Sequence, residues 1–214
     1  MGKLLFKGVE IEHLTHAAFR VEGSGTVLYI DPFKVSEQRR DGDVIICTHD
    51  HYDHCSPEDV KKVIKTEGII VAAENCVKKL KGFRNEVKPI KPGDEAIIKG
   101  CRIRAVPAYN VNKPYHPREY GGIGVVVELA GVRLYHTGDS DLVSEMRDLR
   151  GLVDVVLIPV SGVYVMSVEE AVEAVKMIQP ALAIPMHYGA IVGSASDAEK
   201  FKKLLEGICE VAIL

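Results

Sequence analysis

Apolar positions along this chain recur mostly in short runs with a period of two, and helical periodicity interrupts them three times. Residues 9–15, 18–22 and 26–30 are β-rich runs, with G-S-G as the turn between the last two. Residues 43–48, D-V-I-I-C-T, form a continuous apolar run, the mark of a strand buried on both faces. A helix is predicted from Ser56, which can cap it, with Pro57 at its first position and Glu58 and Asp59 at its positive end. Further strands are predicted at 69–72, 95–98, 102–106, 123–129 and 133–136, and a buried strand at 153–158. A helix over 168–178, a strand at 181–185, a helix over 197–205 and a last strand at 210–214 complete the pattern.

The pattern repeats. D-V-I-I-C-T at Asp43 matches D-V-V-L-I-P at Asp154, and S-P-E-D-V-K-K-V at Ser56 matches S-V-E-E-A-V-E-A-V at Ser167, at the same offset. Upstream, G-T-V-L-Y-I-D ends at Asp31 and G-V-R-L-Y-H-T-G-D at Asp139. Each half reads as a hairpin ending in an aspartate, then a buried strand, then a helix. The predicted fold is α/β (α+β): a four-layer αββα sandwich of two similar sheet-plus-helix halves, helices outside.

Composition narrows the class without naming a function. With 214 residues and 47% hydrophobic content, one domain spanning 1–214 is expected. A net charge of −3 without long single-sign runs gives no nucleic-acid footprint. Five cysteines, an odd number with no C-x-x-C pair, argue against a disulfide framework. The N-terminus has no signal-peptide stretch and the most apolar segment is too broken to span a bilayer, so a cytoplasmic location is expected.

The chemistry concentrates in T-H-D-H-Y-D-H at 48–54, which holds three of the eight histidines. His49 and His51, two apart on an extended segment, point to one side. Asp53 and His54 come as the chain turns into the helix and can face a second, adjacent ion. Histidine with carboxylate suits zinc, iron or manganese. Two such ions can share a bridging hydroxide and lower its pKa. Asp139 and His187 follow strands of the second half and can reach the same sheet edge.

These motifs resemble those of the metallo-β-lactamase-fold superfamily of metal-dependent hydrolases. T-H-D-H-Y-D-H carries the H-x-H-x-D-H signature, G-D-S-D at 138–141 is similar to the bridging-aspartate motif, and M-H-Y-G at 186–189 to the final histidine. T-H-A-A-F at 15–19 and L-Y-I-D-P-F resemble the branch that includes L-ascorbate-6-phosphate lactonase and N-acylphosphatidylethanolamine phospholipase D. The resemblance implies that His49 and His51 bind a first ion, that Asp53, His54 and His187 bind a second, and that Asp139 bridges them. It implies two divalent ions, zinc first and manganese or iron as alternatives, with Asp53 and Asp139 as the catalytic carboxylates. The family's third histidine for the first ion is missing where Asn110 stands; Asn110 or His116 completes that shell, or His116 is a loop histidine. Asp31 is a candidate partner for a ligating histidine or a turn residue. His16 and His136 are candidates near the site or ordinary strand residues.

The implied reaction is hydrolysis of an ester, lactone or phosphoester by a hydroxide held at a binuclear centre. Lys113 and Arg118 are candidates for binding a small, anionic substrate. The expected partner is a small molecule, with no nucleic acid and no membrane span; a homo-oligomer is left open. Two alternatives stand beside this reading: a phosphodiesterase or nuclease of the same superfamily, and a non-catalytic metal-binding scaffold.

Overall fold

The computed structural model of the chain describes residues 2–214. Two seven-stranded sheets are built in strict chain order. The first contains β1 (Gly2–Phe6), β2 (Val9–Thr15), β3 (Ala18–Gly23), β4 (Thr26–Ile30), β5 (Gly42–Cys47), β6 (Ile64–Ala73) and β7 (Val87–Ile90). The second contains β8 (Glu95–Ile98), β9 (Cys101–Pro107), β10 (Ile123–Leu129), β11 (Val132–His136), β12 (Val155–Pro159), β13 (Leu182–Met186) and β14 (Glu210–Val211). Strands β1 to β4 pair antiparallel and β4 to β7 parallel. The second sheet does the same, antiparallel from β8 to β11 and parallel from β11 to β14.

The period-two pattern decides which side chains meet. In β12, Val155 and Leu157 enter the core shared with the first sheet's Ile11, Val21 and Leu28. Val156 and Ile158 point the other way, into a second core. That outer core is closed by α2 (Val168–Ile178) and α3 (Ala195–Leu204), whose Val172, Val175 and Phe201 lie in it. The outside of the first sheet carries only α1 (Pro57–Val63), of seven residues. Its Val60 and Val63 are buried in the core that also holds Tyr29 and Ile45. The sandwich of two mixed sheets agrees with the predicted class, with a thin helix layer on the first half.

The duplication extends to single hydrogen bonds. Asp43, before the buried part of β5, accepts the Val27 N–H at 2.9 Å. Asp154, before β12, accepts the Arg133 N–H at 3.0 Å. Ser56 accepts from Asp59 N, and Ser167 from Glu170 N, as caps of α1 and α2.

Several boundaries differ from the predicted ones. Strands β1 and β7 were not expected; they are sheet edges, and β7 contains Pro89. The strand predicted at 69–72 begins at Ile64, directly after α1. The helix predicted from 197 begins at Ala195, because the Asp197 carboxylate accepts the Ser194 N–H at 2.7 Å and caps the preceding turn. The strand predicted at 210–214 is only Glu210–Val211. Among the described residues, no helix is long and apolar enough to cross a membrane.

Candidate metal centre

The site lies where strand ends of both sheets meet. Strand β5 runs between β4 and β6 and ends at Cys47. Thr48 then donates its N–H and its hydroxyl to the two oxygens of Asp31, at 2.8 and 2.6 Å. Its carbonyl accepts the Ile123 N–H of β10 at 3.0 Å, tying the loop to the second half. The chain turns at once, with His54 N and Cys55 N both donating to the His51 carbonyl. The five histidine and aspartate positions of this loop therefore begin from a fixed backbone. Asp50 turns away and accepts from the Tyr120 hydroxyl.

In the second half Gly138 makes the approach of Asp139 feasible. Its φ is +62°, and a Cβ there would stand 2.4 Å from the Ile123 carbonyl oxygen. His16, Asp31 and His187 also hold positive φ, of 53°, 47° and 60°. Such backbone is costly for side chains of this kind and persists where the surroundings over-determine it. His187 N donates to the His16 carbonyl at 2.8 Å, so two of these three positions fix each other.

Two groups of donors result. His49, His51, His116 and Asp139 form one; His16, Asp53, His54 and His187 form the other. Within each, the donor atoms lie within 4.8 Å of one another. The Asp139 carboxylate stands between them. Its Oδ2 is 3.8 Å from His49 Nε2, 3.5 Å from His116 Nε2 and 3.2 Å from His187 Nε2, and its Oδ1 is 3.3 Å from His54 Nε2. Ligand atoms about 2.1 Å from one tetrahedral ion stand about 3.4 Å apart, so these separations suit shared ions. His16 Nδ1, His54 Nε2 and Asp139 Oδ1 are buried without a hydrogen-bond partner among the described residues, and His16 Nε2 faces only the Asp53 carboxylate, at 3.1 Å. Buried polar atoms rarely go unsatisfied, and metal ions at the two donor groups would satisfy His54 Nε2 and Asp139 Oδ1. The residues present therefore fit metal ions.

At three of the histidines the electrostatics favour the ligating form. Burial lowers His49, His116 and His16, although carboxylates oppose it at each. Neutral imidazole is the ligating form. Burial also acts to lower His54, but Asp139 and Asp31 outweigh it and hold its pKa well above the ordinary value. Burial acts to raise Asp139, and His187 and His54 overcome it, leaving the carboxyl far below the usual range.

Groups behind the donors set ring orientation. Asp31 accepts from His54 Nδ1 at 2.8 Å, Ser161 Oγ meets His187 Nδ1 at 3.1 Å, and Thr48 Oγ1 lies 3.1 Å from His49 Nδ1. Asn110 accepts the His116 N–H at 2.9 Å on Oδ1, faces His116 Nδ1 at 3.1 Å, and donates to the Tyr164 carbonyl at 2.9 Å. Both ends of the Asn110 amide are thus engaged in holding His116, and His116 is the residue whose Nε2 faces the donors.

Six of the eight histidines are gathered here. The other two are held by backbone groups: His136 meets the Ala17 carbonyl and the Gly138 N–H, and His13 meets two carbonyls. His16, a candidate near the site or an ordinary strand residue, sits in the tight β2–β3 turn, with its ring beside Asp53, His54 and His187.

A cavity of about 230 Å³ opens onto the donors, lined by His51, Tyr52, Asp53, Tyr115, His116, Asp139, Tyr164, His187 and Ile191. Neither Lys113 nor Arg118, the candidates for binding an anionic substrate, is among its lining residues. Lys113 is paired with Asp141 at 2.6 Å, and Asp141 also holds the Val111 N–H. Arg118 is paired with Glu145 at 2.8 Å and lies over the Tyr109 ring. A larger hollow of about 660 Å³ is lined by Arg40, Lys61, Lys65 and Arg84 among others, but it contains none of the donors.

The fold and this constellation define a class. The profile of the family described as "Beta-lactamase superfamily domain" matches residues 10–187, and the chain belongs to that family. It is 37% identical over 200 residues to a UPF0173 metal-dependent hydrolase of Thermoplasma acidophilum, covering 88% of this chain and 87% of that protein. A crystal structure of a Parabacteroides distasonis protein assigned to the metal-dependent hydrolases superposes with a TM-score of 0.84 at 29% identity, covering 99% of this chain and 96% of that one. A Thermotoga maritima protein assigned to the metallo-β-lactamase superfamily superposes with a TM-score of 0.67 at 20% identity, covering 96% and 97%, and shows the shared fold. The protein is a metal-dependent hydrolase of that superfamily, with a candidate metal site of histidine and aspartate.

Proposed function

We propose that the protein is a two-metal hydrolase, working as one domain, that cleaves an ester or lactone C–O bond of a small molecule. The observation that carries this is the place of Asp139, whose two oxygens face both donor groups. His49, His51 and His116 would hold one ion; His54, His187 and Asp53 would hold the other, with His16 beside Asp53 at 3.1 Å. Zinc is the first candidate, with manganese or iron as alternatives. When bound, paired divalent ions supply Lewis-acid activation of water and of the substrate oxygen.

The chain's own groups do the rest. Asp53 lines the cavity and orients the attacking water by accepting its hydrogen bond. The water oxygen forms a bond to the carbonyl carbon, the C–O bond to the leaving group breaks, and the water proton passes to the leaving oxygen. Asp31, Ser161 and Asn110 keep the imidazoles aimed while this happens. A phosphoester is the less favoured bond, because among the described residues no lysine or arginine lines the cavity.

The test is Asp53→Ala in the metal-loaded protein, assayed on aryl esters, lactones and bis(4-nitrophenyl) phosphate. Loss of ester or lactone turnover by about 10²–10⁴-fold with unchanged circular dichroism is expected. Full retained activity contradicts the assignment, and turnover of the phosphodiester alone replaces the ester reading.

A further inference from the structure

The cavity has two unlike walls. One consists of the donors. The other consists of Tyr52, Tyr115, Tyr164 and Ile191, from four different loops. Tyr115 and Tyr164 meet edge to face, with ring centroids 4.7 Å apart and planes at 86°. Tyr52 leans edge-on against Phe33, at 5.8 Å and 75°. The wall is therefore built from braced rings. Yet Tyr52 is 63% exposed, Tyr115 45% and Ile191 38%, so apolar surface is left open at the mouth of a reactive site. Gathered apolar exposure of this kind marks a binding surface.

The charge on that wall is equally informative. Among the described residues, no lysine or arginine lines the cavity. The two loop cations that stand nearest in sequence are held by Asp141 and Glu145. An anionic group carried away from the reacting bond would lose part of its hydration against the rings and meet no lysine or arginine of the lining. A flat apolar group would instead pack against rings. The volume, about 230 Å³, is below the roughly 300–1,000 Å³ of sites for drug-sized ligands.

We propose that the substrate is a small, uncharged ester or lactone bearing a planar apolar group, seated on Tyr115, Tyr164 and Ile191. This deepens the hydrolase reading above and rests on it for the bond, but not for the seat. Tyr115 and Tyr164 are specificity residues: they select the group remote from the bond that breaks.

The experiment uses the metal-loaded full chain and two matched pairs. Acetanilide and 4-acetamidobenzenesulfonate are titrated by calorimetry; they are not turned over as esters, and the sulfonate is a weak metal ligand. Phenyl acetate and 4-acetoxybenzenesulfonate are compared by kcat and KM; the sulfonate has the better leaving group, which biases against the proposal. Acetanilide should bind at least about tenfold tighter than its sulfonate, a difference of about 1.4 kcal/mol. Phenyl acetate should show the lower KM. Tyr115→Ala and Tyr164→Ala should raise that KM and erase the acetanilide preference, while Tyr115→Phe and Tyr164→Phe retain both. If acetanilide shows the preference but neither ester is hydrolysed, the ester reading fails and the seat stands. Equal or tighter binding of the sulfonate, or no binding of either, overturns the proposal.

Discussion

The two halves share one plan and divide one task. Both run from an antiparallel meander into parallel strands, and both anchor the buried strand with an aspartate and cap the next helix with a serine. They part in the loop that follows the buried strand. After β5 the chain reads His49, His51, Asp53 and His54; at the matching positions after β12 it reads Val160, Gly162, Tyr164 and Val165. One loop supplies donors, and the other supplies Ser161 behind His187 and Tyr164 on the apolar wall. Duplication can thus provide a scaffold with two equivalent edges, while the chemistry is placed unequally across them.

The halves also differ in support, and that difference can be broken first. Among the described residues, the outer layer of the second half forms a core cluster of its own, closed by two helices, and Phe201 is fully buried in it, whereas the first half's outer layer has only the short α1. Phe201→Ala should cost about 3–5 kcal/mol in denaturant unfolding. A cost below about 1 kcal/mol would mean that α3 is not part of the cooperative unit. Next in size is Asp31, which has no donor role but receives Thr48 N–H, Thr48 hydroxyl and His54 Nδ1. Asp31→Asn should weaken metal affinity by about 10–100-fold, read by chelator competition. Unchanged affinity would remove Asp31 from the account of how the loop is aimed.

Asp43 and Asp154 offer a like-for-like contrast. Partial burial pushes each carboxyl up, but Lys65 and the Val27 N–H at Asp43, and the Arg133 N–H and Lys7 at Asp154, bring both below the usual range. A depressed folded pKa gives stability that is full above the unfolded value of about 3.9 and is lost as pH falls through the folded value. Asp43→Asn and Asp154→Asn should each cost about 1–2 kcal/mol at pH 7, and the gap from the unaltered protein should close in acid. Unequal costs would show that the halves are not equally coupled. Smallest are Ser56→Ala and Ser167→Ala, about 1 kcal/mol each in thermal unfolding. A larger effect at Ser56 is the informative departure, because α1 begins immediately after the donor loop.

Much of this was legible in the sequence where local and global signals agree. Strands β2, β4, β8 and β10 and helix α2 fall on their predicted residues. The six motif residues His49, His51, Asp53, His54, Asp139 and His187 are brought together by the strand ends that carry them. The edge strands β1 and β7 were hidden because half-exposed strands need no apolar alternation; β1 alternates only between partly buried and exposed. His16 was obscure because its place depends on a positive φ in a turn and on a hydrogen bond to His187, far away in the chain. The ion pairs of Lys113 and Arg118 were hidden too: their partners Asp141 and Glu145 lie far along the chain, and no local pattern announces such pairs.

The central claim is that both donor groups hold an ion, joined at Asp139. The most direct measurement is metal content by plasma mass spectrometry on untagged protein purified without chelator and then loaded with zinc, manganese or iron. The account predicts close to two ions per chain, falling to about one in His49→Ala and in His187→Ala. Saturation at a single ion with every metal, or no retained metal at all, would contradict it.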